Sequence, residues 1–451
     1  QAQVQASRVV RFGLKKVGAT RRILEPLAKA ENPSRELLLA RALLTLARRR
    51  HEQAIAALTK LVEKNPQDAR GSLYLGWAYQ KKGALGKAKA AFKRAIAADK
   101  TLTAALYGLA SIELSQNRVG SAIPLLKQGL TASPKHGGLL LLQASVEIGK
   151  GKLDAAETRL KRVGLMVKGR RLGRNDTSDL HVFRAHLAQK RGETNEARKH
   201  FQQALKLNAK SHRAQLGLGK LLLASKKYKE ASDHFRSAQT IDPRSIETSM
   251  LLAETMLLLG KPTEARDALG SILKRAPKNP RIRLLMGRVE QTVRSYKPAL
   301  TQYEQAIKLD PKFFEAYQAM ARLQLERKKS ALAFEALKLA EGQLPKDARV
   351  VNAVGEVHLA IREFAQARAK FEQALGLDGK LNLALFNLAT TLRAQGKLQI
   401  ALKKYEQLQK RDNVFPGLDA GLGALYLALK QYKKAAASYD RALRSSEIKP
   451  N

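Results

Sequence analysis

Apolar residues along this chain follow helical spacing and return with a period of 34 residues. Small residues mark the period most plainly: Ala54, Ala88, Ala122 and Ala156 form one series, and Ala197, Ala231, Ala265, Ala299, Ala333, Ala367, Ala401 and Ala435 form a second. Four residues after each Ala stands a bulky apolar residue, among them Leu58, Phe92, Phe201, Phe235, Tyr303, Phe371, Tyr405 and Tyr439. The i, i+4 spacing puts both on one helical face. Twelve residues before the Ala lies a small residue, as at Gly76, Gly219, Gly287, Gly355 and Gly423, where two helices can approach closely. Pro66, Pro134, Pro243, Pro277, Pro311 and Pro345 close six units at a common phase, since Pro ends a helix and turns the chain. The unit is helix, turn, helix, turn. Numbered 1 to 34, units begin at 35, 69, 103 and 137, then at 178, 212, 246, 280, 314, 348, 382 and 416.

This pattern resembles the tetratricopeptide repeat (TPR) family: Leu-Gly at positions 7 and 8, Ala at 20, an aromatic residue or Leu at 24, Ala at 27 and Pro at 32. The repeat beginning at 212 carries Leu218, Gly219, Ala231, Phe235, Ala238 and Pro243. The resemblance covers residues 35 to 449. Departures fall at position 4, with Ser72, His181 or Gln215, and at position 32, with Lys100, Ala209, Gly379 or Asn413. The fold expected is all-α, a right-handed superhelical solenoid of antiparallel helix pairs. A helical pair this short cannot bury its own apolar face, so neighbours must stack. The expected organisation is a degenerate half-repeat or cap over 1–34, a four-repeat block over 35–170, a basic-flanked insertion at 171–177, and an eight-repeat block over 178–449. The insertion reads as a basic loop or extended helix end at a natural hinge.

Composition narrows the function. Hydrophobic residues make up 44% of the 451, enough to require a buried core. Cys is absent, which excludes disulfides, Cys-ligated metals and thiol nucleophiles. No apolar run reaches the roughly 18 residues that span a bilayer. The start, Gln1-Ala2-Gln3, reads as a processed or trimmed chain, and with the lack of Cys it slightly favours a periplasmic over a cytoplasmic location.

No convergent catalytic site is legible, and neither a metal nor a cofactor is expected. His200 and His234 lie one period apart and repeat a packing role, while His181 and His358 fall at core positions 4 and 11. No His/Asp/Glu cluster has ligand spacing. Ser271-Ile-Leu-Lys274 matches Ser-x-x-Lys by chance, mid-helix and without companion motifs. Gly217-Leu-Gly219-Lys220 is helix-packing glycine, since no strand precedes it.

The resemblance implies that the first helix of each unit lines a partner groove through positions 2, 5, 6, 9, 12 and 13. Position 9 runs His186, Lys220, Glu254, Arg288, Arg322, Glu356, Thr390, with mixed charge, whereas positions 5 and 12 are mostly apolar, Phe386 among them. Such a groove suits a helix or extended peptide. Near the N-terminus Tyr74, Trp77 and Tyr107 form a candidate aromatic anchor, with inter-repeat packing an equal account. The family's two-carboxylate clamp is not expected, because Glu356 precedes Asn387 where Asn would be needed.

Charge adds a second surface. Lys and Arg number 83 against 39 Asp and Glu, a net +44 spread along the chain. Every repeat has a cation at positions 14 to 16, the turn between its helices. The candidate edge comprises Arg48, Arg49, Arg50, Lys81, Lys82, Lys226, Lys227, Lys328 and Lys329, joined by Arg170, Arg171 and Arg174 around the insertion; Glu363 opposes it. Cations there also complement a helix dipole, by about 0.3–1 kcal/mol each. The reading is a non-enzymatic scaffold that docks peptide or helical segments of other proteins, in assembly of a bacterial envelope, secretion, motility or polysaccharide-export machine. Two alternatives stand beside it: a direct binder of anionic polysaccharide, membrane surface or nucleic acid, with nucleic acid least favoured, and the TPR region of a larger protein with a catalytic domain elsewhere.

Overall fold

The computed structural model describes residues 34–48, 50–169 and 173–446, within which lie twenty-four α-helices and no strand. The chain forms two compact units, residues 1–209 and 210–451. In the first, helix pairs run Arg35–Ala47 with His51–Lys64, Ala69–Lys82 with Leu85–Ala98, Thr103–Ser115 with Val119–Ala132, Gly137–Gly149 with Leu153–Lys168, and Arg174–Arg191 with Thr194–Leu207. In the second they run His212–Ala224 with Tyr228–Ile241, Ile246–Leu258 with Pro262–Leu273, Pro280–Thr292 with Tyr296–Leu309, Phe314–Glu326 with Ser330–Gln343, Ala348–Ala360 with Phe364–Leu377, Asn382–Ala394 with Leu398–Arg411, and Leu418–Ala428 with Tyr432–Ser446. Ten of the twelve first helices begin at position 1 of the numbering read from sequence. Short turns make consecutive helices antiparallel neighbours.

The expected N-terminal segment lies outside the described residues except Ser34, whose Oγ accepts from the Leu37 amide and caps the first helix. Of the two readings of the insertion, residues 174–177 follow the extended helix end: they form the first turn of Arg174–Arg191, with the Asp176 carboxylate accepting from the Gly173 amide at 3.4 Å. That helix packs on Leu153–Lys168.

What locks each pair is an exchange of volume between positions 8 and 24. Where position 24 is Leu (Leu58, Leu126, Leu160, Leu269, Leu337), position 8 is Ala (Ala42, Ala110, Ala144, Ala253, Ala321). Where position 24 is Phe92, Phe235, Tyr303 or Phe371, position 8 is Gly76, Gly219, Gly287 or Gly355. A Cβ added at Gly219 would stand 2.6 Å from the Phe235 ring, and one at Gly76 2.6 Å from Phe92. The ring therefore occupies the space a methyl group would need. Phe92 is also met from the next repeat, where a Cβ on Gly108 would stand 2.7 Å away. Two positions depart from the exchange: Ala185 faces Phe201, which packs edge-on to His186, and Ala389 faces Tyr405, whose hydroxyl bonds Thr390 at 2.9 Å. All these position-24 side chains are fully buried, as is every Ala at position 20 up to Ala401. Tyr439, in the last described helix, is 36% exposed because no described repeat follows to cover it.

The turn inside each repeat has its own constraint. Position 15 adopts positive φ in every repeat where it is described: Gly83, Gly151, Gly192, Gly260 and Gly396 in five, but Asn117, Lys226, Arg294, Lys328, Arg362 and Lys430 in the other six. The amide of position 16 then reaches back to the carbonyl of position 11, as from Lys227 to Leu222 and from Lys329 to Gln324, closing a Schellman cap. A side chain in the left-handed region costs about 1 kcal/mol relative to Gly.

The packing predicts two substitutions. Gly219→Ala should destabilise the second unit by about 1–3 kcal/mol through overpacking against Phe235. Ala231→Asp should cost about 3 kcal/mol or more, since it puts a carboxylate at a site with 0% exposure. Urea denaturation checks both, and an unchanged midpoint for Ala231→Asp would refute the repeat register.

Candidate functional site

In the second unit the first helices of three successive repeats, Ile246–Leu258, Pro280–Thr292 and Phe314–Glu326, line two adjoining hollows. One hollow is lined by Ile246, Met250, Leu251, Leu284, Leu285 and Phe313, with Glu247, Glu254, Arg281, Arg288 and Glu315 around it. A second adjoins it, lined by Leu257, Leu258, Gln291, Arg294 and Glu326, and shares Glu254, Leu285 and Arg288 with the first. These are mostly the positions 2, 5, 6, 9, 12 and 13 read from sequence. The floor is apolar and the rim carries both charges. Glu254 and Arg288 are exposed and, among the described residues, have no ion-pair partner.

The other position-9 residues are held by neighbours. Lys220 pairs with Glu247 of the next repeat at 2.5 Å. Arg322 pairs with Glu356 at 3.2 Å, and Glu356 also accepts from Asn352 at 3.0 Å and from Asn387 at 3.4 Å. A carboxylate of the chain itself thus accepts from the amide of Asn387. Phe386 stacks against Phe415 and Tyr405, with ring centroids 5.4 and 5.8 Å away, a packing role.

In the first unit a smaller hollow is lined by Ser145, Ile148, Phe183, His186 and Gln189. The aromatic residues divide. Tyr74 is a core residue at 7% exposure, its ring 5.4 Å from that of half-buried Trp77. Tyr107 lies against His136 at 5.8 Å and crowds Gly138. Tyr74 therefore packs between repeats.

The histidines have a structural explanation that spacing alone hid. Positions 4 and 23 of one repeat meet across its two helices: His181 Nδ1 with His200 Nδ1 at 3.1 Å, Gln215 with His234 at 2.6 Å, and Arg283 with Gln302 at 3.1 Å. One of the two Nδ1 atoms in the His pair must donate and the other accept. Burial, then the His200 and Arg184 charges, push the His181 imidazole down to about 4. Burial likewise lowers His200, His234, His212 and His136. Among the described residues no group of three His, Cys, Asp or Glu could hold a metal, and no helix is long and apolar enough to cross a membrane.

Of the basic edge, Arg49, Arg170 and Arg171 lie outside the described residues. Arg50, Lys81, Lys226, Lys328 and Lys329 are exposed. Lys82 pairs with Glu52 at 2.6 Å, Lys227 with Glu230 at 3.1 Å, and Arg174 donates to the Lys206 carbonyl at 3.1 Å. Arg48 is half-buried. Glu363 is bound to His358 at 2.6 Å, and a second acid, Glu193, also stands at a turn.

Sequence models of the tetratricopeptide repeat match residues 39–103, 86–137, 184–246 and 386–450, with related models over 222–289 and 302–335. These cover more than half of the chain, which belongs to the tetratricopeptide repeat family. Among solved structures it is similar to yeast Tom70, at 17% identity and a TM-score of 0.50, over 90% of this chain and 91% of that one. It also aligns with a tetratricopeptide repeat protein from Parabacteroides merdae, at 20% identity and a TM-score of 0.47, over 57% and 98% of the two chains. A third alignment is with the Cut9-Hcn1 complex of the APC/C, at 16% identity and a TM-score of 0.41, over 95% and 90%. No curated protein matches in sequence. Family and fold support a protein–protein interaction scaffold.

The buried His pair predicts a pH dependence. An imidazole whose folded pKa is depressed contributes stability above its unfolded value, near 6.5, and loses it as pH falls toward the folded value of about 4. The denaturation midpoint of the first unit should therefore drop between about pH 6.5 and 4. His181→Gln, which copies the Gln215–His234 arrangement, should flatten the drop. An equally steep drop in that variant would reject the His181 assignment.

Proposed function

We propose that the chain is an assembly scaffold whose second unit docks an amphipathic segment of a partner protein in the groove over Ile246–Leu258, Pro280–Thr292 and Phe314–Glu326. The observation that carries this is the pair of adjoining hollows sharing Glu254 and Arg288 above an apolar floor of Met250, Leu251 and Leu285. An apolar face on the ligand would cover the floor while its flanking charges meet opposite charges at the rim. Lys220, Arg322 and Glu356 stand at position 9 of other repeats of the second unit, and His186 at position 9 of a repeat of the first. Composition rich in Ala, Leu, Lys and Arg without Cys supports a role in a bacterial multiprotein machine of envelope, secretion, motility or polysaccharide export. No cofactor enters this reading.

The test is affinity capture from nuclease-treated native lysate at low and high salt, with wild type and a Glu254→Lys/Arg288→Glu variant compared side by side. A defined protein retained by wild type at high salt and weakened about tenfold by the variant, with thermal unfolding unchanged, is the expected result. Capture indifferent to the variant would place the partner elsewhere.

A further inference from the structure

Position 7 of the repeat is an interior site. It is Leu, Met or Val in nine of the twelve repeats. Leu75, Leu109, Leu218, Leu252 and Leu388 there are at most 5% exposed. The fifth repeat carries Arg184 instead, with Arg41 and Gln143 the other departures. The chain makes room for this guanidinium: on the preceding second helix, Leu153–Lys168, a Cβ added at Gly164 would stand 2.7 Å from Arg184 Nη2. Arg184 is half-buried, and among the described residues no hydrogen bond or ion pair engages it. Burial alone holds its pKa below the ordinary value, where a carboxylate close by would raise it. A charge is thus drawn out of water without a partner at a place where other repeats bury Leu, and this costs free energy.

We infer that Arg184 anchors a site in the first unit for a singly charged carboxylate. The residue lines a hollow of about 240 Å3 with Leu160, Leu187, Ala188 and His200. Its first-helix residues stand at positions 7, 10, 11 and 14, none of them a groove position. The other basic groups of the hollow are committed. Lys161 and Arg191 both hold Glu157, at 2.8 and 2.9 Å. His200 is tied to His181 at 3.1 Å, and burial, then the Arg184 charge, lower its pKa and keep it neutral near pH 7. Arg184 is the cation whose donors stay open, and a guanidinium offers a carboxylate two parallel N–H groups. The acids of the hollow decide the valence. Glu193 and Glu196 are exposed beside Glu157, with Glu196 paired to Lys199 at 2.7 Å. A phosphate dianion would meet their repulsion with twice the charge of a carboxylate. Leu160 and Leu187 supply an apolar wall, so a short aliphatic acid fits, either free or as a Glu side chain of a polypeptide.

The test follows the unfolding midpoint of the full chain as butyrate replaces chloride at constant ionic strength, with a blocked alanine hexapeptide containing one Glu as the second probe. A ligand bound to the folded state raises the midpoint as its occupancy grows. Arg184→Leu restores the residue type of most repeats and should weaken binding about tenfold or more. Arg184→Lys keeps the charge without the fork and should fall between that variant and wild type. Lys150→Gln, which removes an exposed cation outside the hollow, should bind as wild type. A larger response to butyrate assigns the site to a free acid, and a larger response to the hexapeptide assigns it to a polypeptide side chain. No rise with either probe, or equal weakening in Lys150→Gln, would overturn the site. A lower ligand-free midpoint in Arg184→Leu with unchanged probe affinity would make Arg184 a packing residue and overturn it as well. Inorganic phosphate bound more tightly than butyrate, and lost in Arg184→Leu, would overturn the carboxylate assignment.

Discussion

Everything in this structure depends on one contact, the insertion of a position-24 side chain against position 8 of the same repeat. Volume there is conserved: Leu meets Ala, and the larger ring in most cases meets Gly. The ring is completed from the following repeat, as Gly108 completes the site of Phe92. A repeat therefore finishes its core only when the next is in place, and burying one such side chain is worth about 1.5–3 kcal/mol. Tyr439 shows the consequence at the chain's last described pair, where the same residue is left partly open. The second helices supply the plug, and the two hollows of the second unit are lined mostly by first-helix residues.

The turn constraint works in the opposite sense. Position 15 must be left-handed for the Schellman cap to close, and Gly satisfies this freely in five repeats. Lys or Arg in the same conformation places a charge at that turn, as at Arg294, Lys328, Arg362 and Lys430. Core and turn together fix what varies: the core positions exchange volume and keep the register, while the turn keeps its geometry and exchanges charge.

Much of this was legible in the chain. The period placed nearly every helix boundary, because Ala at position 20 and bulky residues at position 24 recur without ambiguity. The register puts Glu254 and Arg288 at position 9, and both line two adjoining hollows. Tyr74 could not be placed, since an aromatic residue at position 6 reads alike for groove wall and core until the neighbouring repeat is present. The position 4 to 23 contacts were hidden because a separation of 19 residues follows no helical period; it is set by how the two helices cross. The left-handed turn had a signal in the five glycines at position 15, but Lys or Arg in the other repeats masked it. The basic insertion reads from sequence as a loop or an extended helix end because its residues follow no repeat, and its described part, 174–177, is the latter.

The acids explain why a chain of net +44 holds together. Several of them bind internally between or within repeats: Glu113 with Lys89 at 2.5 Å, Glu147 with Arg159 at 2.7 Å, Glu290 with Arg266 at 2.9 Å, and Asp68 with Arg35 at 2.6 Å. Glu113, Glu147 and Asp68 are buried, which strengthens each contact relative to a solvated pair. The cations they engage are neutralised within a repeat, as Arg159 is, or between repeats, as Lys89 and Arg266 are. The exposed charges of a chain with net +44 give a positive field that weakens with salt, while the buried ties are screened much less.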